Sequence, residues 1–259
     1  MNPDEAFREQ VSANVERLGA EPGMWPNSLA WMLAAAVGNY SYNFRWMGRP
    51  IIQYPQDMVA MQALIWSVRP DLIVETGIAH GGSLILSASM LAMLDVADAL
   101  AAGTPFDPRA SRRKVLGLDI DIRAHNRAAI EAHPFAPYIQ MMQGSSIAPE
   151  VVAEVRSVAA RYPRVLVCLD SNHTHDHVFA ELEAYASLTS VGSYCVVFDT
   201  VVEDLPATLA GDRPWGPGNN PKTAVHAWLP SHPEFVIDRT VQDQLLVTVA
   251  PDGYLKRVA

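Results

Sequence analysis

Leu72-Ile73-Val74-Glu75-Thr76-Gly77-Ile78-Ala79-His80-Gly81-Gly82-Ser83 is the stretch whose reading decides the fold. A short apolar run between Pro70 and a group of glycines reads as a buried parallel strand. Its last residue in strand register is a carboxylate, Glu75, after which the chain turns through Gly77, Gly81 and Gly82. Ser83 is placed to cap a helix over residues 84–100, rich in Leu, Ile, Met and Ala. Strand, glycine turn and helix start together let the backbone pass close to a ligand with no side chain in the way. A carboxylate beside that turn suits a cationic or hydroxyl-bearing ligand better than a pyrophosphate.

The spacing E-x-G-x-x-x-G-G-S is not the G-x-G-x-x-G of a dinucleotide site. It resembles motif I of the S-adenosylmethionine-dependent methyltransferases. That resemblance implies that Glu75 faces the ligand's ammonium end, and that Gly77, Gly81 and Ser83 make room for its carboxylate and ribose. A glycine turn that binds nothing is the alternative.

Outward from this stretch, strands and helices alternate. Strands are expected at residues 114–121, 138–142, 164–169 and 193–198, and a closing pair at 235–237 and 245–249. Helices fall between them at 123–133, from Pro149, at 176–188 and at 223–229. Repeated βα units imply a mostly parallel seven-stranded sheet with helices on both faces, an α/β, Rossmann-like architecture. Ahead of it, residues 3–20 are helical by pattern, and Trp31, Tyr40, Tyr42, Phe44 and Trp46 crowd the stretch that follows. Residues 1–50 are therefore read as a helical and aromatic extension and 51–259 as the catalytic domain. The aromatic cluster can floor a substrate pocket, make an oligomer contact or cap the core.

At 259 residues, with 49% hydrophobic and 18% charged residues, the chain fits a globular enzyme with a substantial core. A net charge of −9 argues against a nucleic-acid footprint. Arg109, Arg112, Arg113 and Lys114 read as a solvated surface run. The first ten residues carry Asp4, Glu5 and Glu9 and no apolar core of a signal peptide. The apolar run at 84–94 is short for a bilayer. A cytoplasmic protein with no membrane partner is expected. Cys168 and Cys195 fall inside expected strands, as buried reduced thiols.

In such sheets ligands bind at the carboxyl ends of the strands. Those ends carry Glu75, Asp119, Gln143 to Ser146, Asp170 and Asp199. In a methyltransferase, Asp119 would accept hydrogen bonds from the ribose hydroxyls, and Gly144 and Ser145 would line the adenine. An ordinary ion pair with Arg123 is the other use for Asp119.

The end of the fourth strand reads Asp170-Ser171-Asn172-His173-Thr174-His175-Asp176-His177-Val178, three of the eight histidines in the chain. Here the chain resembles the methyltransferases grouped with the cephalosporin-hydroxylase component and the rhamnosyl O-methyltransferases. The matching pieces are Ile52-Gln53-Tyr54-Pro55-Gln56-Asp57, the opening stretch, Leu118-Asp119-Ile120-Asp121, Asp170 to Val178, Phe198-Asp199-Thr200 and Gly253-Tyr254-Leu255-Lys256-Arg257. The resemblance implies a class I methyltransferase fold and bound S-adenosylmethionine, with Asp170 beside it. In several relatives it also implies a divalent metal such as Mg²⁺, held by an acid after strand four and an acidic pair after strand five. Asp170 and Asp199 match such positions. Phe198 stands where a Glu-Asp pair would put Glu, which leaves Thr200, Glu203, Asp204 or water to complete the shell.

His173 lies three residues beyond Asp170, an offset similar to that of the lysine base of the related catechol methyltransferases. An imidazole is mostly neutral at pH 7 and can take a proton from an alcohol. His173 is the candidate base, with His175 in reserve; bracing the Asp170 loop is its bland role. Trp215, between Pro214 and Gly216, belongs either to a lid over the acceptor or to an ordinary surface loop. The expected activity is Mg²⁺-dependent O-methyl transfer to a hydroxyl of a sugar or other small natural product, by a homo-oligomer. Two rivals remain open: an Fe(II) hydroxylase using Asp170, His173 and His175, and a non-catalytic partner of another enzyme.

Overall fold

The computed structural model describes residues 2–259. Asn2 opens helix α1 (Pro3–Ala20) by accepting from Asp4 N at 3.0 Å, with Pro3 in the first turn where its missing N–H costs nothing. Helix α2 (Met24–Ala36) follows, then a hairpin of β1 (Phe44–Trp46) and β2 (Arg49–Ile51). The hairpin turns through Met47 and Gly48, both at positive φ (43° and 90°), the geometry a two-residue turn between twisted strands requires. Neither α2 nor the hairpin was expected from the aromatic pattern.

The catalytic part runs α3 (Pro55–Val68), β3 (Leu72–Thr76), α4 (Gly82–Ala102), β4 (Lys114–Asp119), α5 (Ala124–Glu131), β5 (Ile139–Gln143), α6 (Pro149–Ala159), β6 (Val165–Leu169), α7 (His175–Tyr185), β7 (Tyr194–Val197), α8 (Pro221–Trp228), β8 (Phe235–Ile237), α9 (Arg239–Leu245) and β9 (Tyr254–Arg257). The seven-stranded sheet has the order β5-β4-β3-β6-β7-β9-β8. Strands β3 to β7 pair in parallel, and β9 is antiparallel to both β7 and β8. Chain order reverses at β3, with β4 and β5 to one side and β6 and β7 to the other. The crevice at a topological switch point therefore lies beyond the ends of β3 and β6.

Strand alternation divides the core. Leu72 and Val74 join the cluster formed with α6, α7 and α8, while Ile73 joins the one under α3 and α4. Burying each such side chain stabilises the fold by roughly 1.5–3 kcal/mol. Helix α4 is longer than the apolar run at 84–94 and matches a membrane span in length and composition. It is spent on the core, with Leu84, Leu91 and Leu94 fully buried.

Two expectations need correction. Residues 245–249 form no strand. They leave α9 and run as an irregular buried segment, and β9 takes the place in the sheet. The reason is a polar anchor: Asp57, 1% exposed in the first turn of α3, accepts from Val249 N (3.0 Å), Tyr254 Oη (2.9 Å) and Thr248 Oγ1. Burial raises the Asp57 pKa to about 6 against the opposing pull of these bonds. Arg113 is not part of a solvated run; it is buried, bridging Asp95 and Asp98, and Asp95 also accepts from Tyr138 Oη at 2.8 Å.

Candidate active site

The turn after β3 is braced by Asp119, Asn126 and Arg49. Asp119 Oδ2 accepts from Ile78 N (2.8 Å) and Ala79 N (3.2 Å), and its Oδ1 from Asp121 N (3.0 Å). Asn126 donates to the Ala79 carbonyl (2.9 Å), and Arg49 to the His80 carbonyl (Nε, 3.0 Å) and to Asn126 Oδ1 (3.0 Å). Close approach explains the glycines. A Cβ on Gly77 (φ 90°) would lie 2.0 Å from the Asp170 carbonyl oxygen, and one on Gly82 would lie 2.2 Å from that of Pro50. Gly81 packs in the same way against Ile130. Helix α4 thus begins at the crevice wall, where Gly77, Gly82 and Ser83 line a cavity of about 680 Å³. Its first N–H groups have no helical acceptor of their own.

Glu75 lies below that wall. It is 4% exposed, is approached by Ser87 Oγ at 3.4 Å, and borders a chamber of about 30 Å³ together with Gln53, Asp57 and Asp170. Burial pushes its pKa up to about 7, opposed by hydrogen bonds from Ser83 and Ser87. Gly144 and Ser145 follow β5, outside the cavity lining, with Gly144 N donating to the Asp119 carbonyl at 2.9 Å.

At the ends of β6 and β7 the structure gathers Asp170, His173 and Asp199, with one donor atom from each within 4.8 Å of the others. His173 Nε2 is 3.0 Å from Asp199 Oδ2, and Gln53 Nε2 donates to Asp170 Oδ2 at 3.3 Å. Asp199 holds a left-handed backbone (φ 55°) that turns its side chain to this cluster. The Asp170 pKa is pushed well above the carboxylate range, first by burial and then by the charges of Asp199, Glu75, Glu181 and Asp57. Two crowded, half-buried carboxylates with open space beside them suit a hard divalent cation completed by water.

The other candidates point elsewhere. Thr200, read as a metal ligand, is fully buried and donates through Oγ1 to the Pro251 carbonyl at 2.6 Å. The left-handed turn at Asp199 sends the next residue inward. Glu203 accepts from Gly218 N at 2.7 Å, and Asp204 pairs with Lys222 at 2.6 Å. His175 bonds Thr223 Oγ1 (2.9 Å), so the set of Asp170, His173 and His175 is not assembled. His177 lies between Ser146 and Ser171 (3.1 and 3.2 Å).

The roof is the loop after β7. Trp215 meets the His173 ring edge-on at 4.9 Å, and Arg213 lies over Trp215 at 5.8 Å. The facing wall comes from the extension, where Tyr40 and Tyr42 line the cavity and Tyr40 packs on Trp31, Phe44 and Tyr54. Arg49, Asn126 and Gln53 escaped the sequence reading as site residues. Gln53 stood inside a quoted motif, but no spacing announces the other two.

A family model described as Rhamnosyl O-methyltransferase/CmcI matches residues 38–258. A protein named rhamnosyl O-methyltransferase from Mycobacterium tuberculosis is 29% identical over 203 residues, 78% of this chain and 73% of that one. Its namesake from Mycobacterium leprae is 27% identical over 223 residues, 85% and 86% of the two chains. Among solved structures, CmcI with Mg and SAM superposes with a TM-score of 0.55 at 17% identity, covering 84% of this chain and 78% of that one. CmcI with SAH gives 0.53 at 19%, covering 83% of each. These two likenesses concern the fold.

Proposed function

The chain belongs to the rhamnosyl O-methyltransferase/CmcI family of S-adenosylmethionine-dependent O-methyltransferases, and from that premise we propose that it methylates a hydroxyl of a sugar or other small natural product in a Mg²⁺-dependent reaction. The observation that carries the proposal is the cluster of Asp170, His173 and Asp199 at the cavity floor beneath Trp215. The names of the two mycobacterial relatives support a sugar hydroxyl as acceptor.

When bound, S-adenosylmethionine supplies an electrophilic methyl group, and a divalent ion on Asp170 and Asp199 lowers the acceptor hydroxyl's pKa. The braced turn, with Glu75, Gly77, Gly81 and Ser83, holds the cofactor. Asp119, with Gly144 and Ser145 beyond it, stands at the nucleoside end. A neutral hydroxyl attacks poorly until its proton leaves. The His173 imidazole, held with Nε2 3.0 Å from Asp199 Oδ2, is the group that takes that proton. Trp215 covers the imidazole and keeps water from it. The first 50 residues serve as the acceptor wall rather than as a separate unit, through Tyr40 and Tyr42.

A second role for His173 rests on the same geometry, since its donor atom belongs to the cluster and can ligate the ion itself. A panel of glycosides incubated with S-adenosylmethionine and Mg²⁺, read by mass spectrometry for a monomethylated product, tests the activity. Methylation of no hydroxyl in that panel would remove the sugar assignment. His173→Ala is expected to lower kcat by roughly 10²–10⁴ while Mg²⁺ and S-adenosylhomocysteine affinities stay unchanged. A parallel fall in Mg²⁺ affinity would make His173 a ligand instead.

A further inference from the structure

Gln53 is 8% exposed, inside the wall between the cavity and the small chamber, and it lines both. Its amide is used on one side only. Nε2 donates to Asp170 Oδ2 at 3.3 Å, while Oε1 is buried with no hydrogen-bond partner. Ionised, as an ion ligand must be, Asp170 accepts and does not donate, which fixes the end of the amide it meets and leaves the carbonyl oxygen facing the other way. Glu75 repeats the pattern across the chamber. The hydroxyls of Ser83 and Ser87 stand beside the carboxylate, Ser87 Oγ 3.4 Å from Oε2, and Oε1 is buried within hydrogen-bond distance of no donor. A buried acceptor left unpaired destabilises the fold, and here two such acceptors share one space of about 30 Å³. That space admits one small group of water size.

Two unpaired acceptors, one anionic and one neutral, call for a donor with several N–H bonds and a positive charge. A primary ammonium has both. A carboxylate or phosphate would be repelled by Glu75, and an apolar group would leave both oxygens unsatisfied. We propose that Gln53 completes the place Glu75 is expected to offer the cofactor's α-ammonium group, with Gln53 Oε1 as a further acceptor and its Nε2 coupling that place to Asp170. This inference rests on the S-adenosylmethionine reading above. It adds a residue from the segment ahead of α3 to a site otherwise built from the ends of the strands. It also links cofactor occupancy to the orientation of an ion-binding carboxylate through a single amide.

The test is calorimetry on the whole protein with two ligands. S-adenosylhomocysteine carries the ammonium; 5′-methylthioadenosine has the nucleoside and sulfur but no amino-acid end. Gln53→Met keeps the length of the side chain and removes both amide atoms. The variant is expected to bind S-adenosylhomocysteine about 10–100-fold more weakly than wild type and methylthioadenosine equally well. Its ligand-free melting temperature should match or exceed that of wild type, because an unsatisfied buried acceptor has gone. Gln53→Glu retains an acceptor and should recover part of the lost affinity. Unchanged S-adenosylhomocysteine affinity in Gln53→Met would overturn the subsite and leave the chamber to water. Equal weakening of both ligands, or a lowered melting temperature, would reduce Gln53 to a structural residue. If wild type binds neither ligand, the cofactor reading itself fails.

Discussion

The two halves of the crevice are built on opposite terms. On the β3 side, the turn from Gly77 to Gly82 has its carbonyls tied by Arg49 and Asn126 and its amides by Asp119. Its glycines are packed against backbone and side chains that leave no room for a Cβ. Apart from Glu75 Oε1, little in that half awaits a partner. On the β6–β7 side, Asp170 is half-buried beside Asp199, with its pKa driven up by desolvation and by four neighbouring carboxylates. That half is complete only when positive charge arrives. A rigid cradle beside an electrostatically frustrated cluster places binding precision and chemical demand in different residues, and the two should respond oppositely to mutation.

The largest separation is expected from Asp170→Asn. Removing the charge should abolish the ion's main ligand and lower kcat by about 10³-fold or more. The same change should raise the ligand-free melting temperature, because a half-buried carboxylate crowded by like charges is gone. A lowered melting temperature in calorimetry would show Asp170 to be a structural tie, erasing the contrast.

Asp119→Ala should do the reverse on the other side. Loss of the bonds to Ile78, Ala79 and Asp121 should weaken S-adenosylhomocysteine binding by about 2–4 kcal/mol and also lower the melting temperature. Normal stability with weak binding would mean that the turn holds its shape without its brace.

The smallest effect is a pH trend. Glu75 and Asp57 have pKa values raised to about 7 and about 6 in the folded chain, mainly by burial. Their folded forms keep protons that the unfolded chain has already released. The stability they contribute is therefore full below their unfolded values and lost as pH rises through the folded ones. The ligand-free protein should melt higher at pH 5.5 than at pH 8, by on the order of 5 °C. Glu75→Gln should flatten the trend. A melting temperature that falls on acidification would contradict it.

What was legible in the chain follows the same division. Acids at strand ends are visible because a buried parallel strand is a short apolar run, and the residue that ends it is read directly. Glu75, Asp119, Asp170 and Asp199 were found in this way. Thr200 and residues 245–249 were misread for one reason, that local pattern stands in poorly for tertiary contact. A left-handed residue turned Thr200 to the Pro251 carbonyl, and an apolar run that looked like a strand is an irregular segment bound by Asp57. Arg49, Asn126 and Gln53 act across 31 to 117 residues of chain, and no periodicity announces such partners. Among three neighbouring histidines, spacing could not say that only His173 faces Asp199.

The loop over the cavity has one more consequence. Its far foot is fastened by Glu203, which accepts from Gly218 N and Asn220 Nδ2, and by Asn219, which bonds the Pro214 carbonyl and His175 N. None of these fastenings uses a residue of the β3 turn. The roof is a cassette clipped onto a finished engine. Substitutions at residues 206–213 should therefore change what is admitted while Trp215 keeps its place over His173.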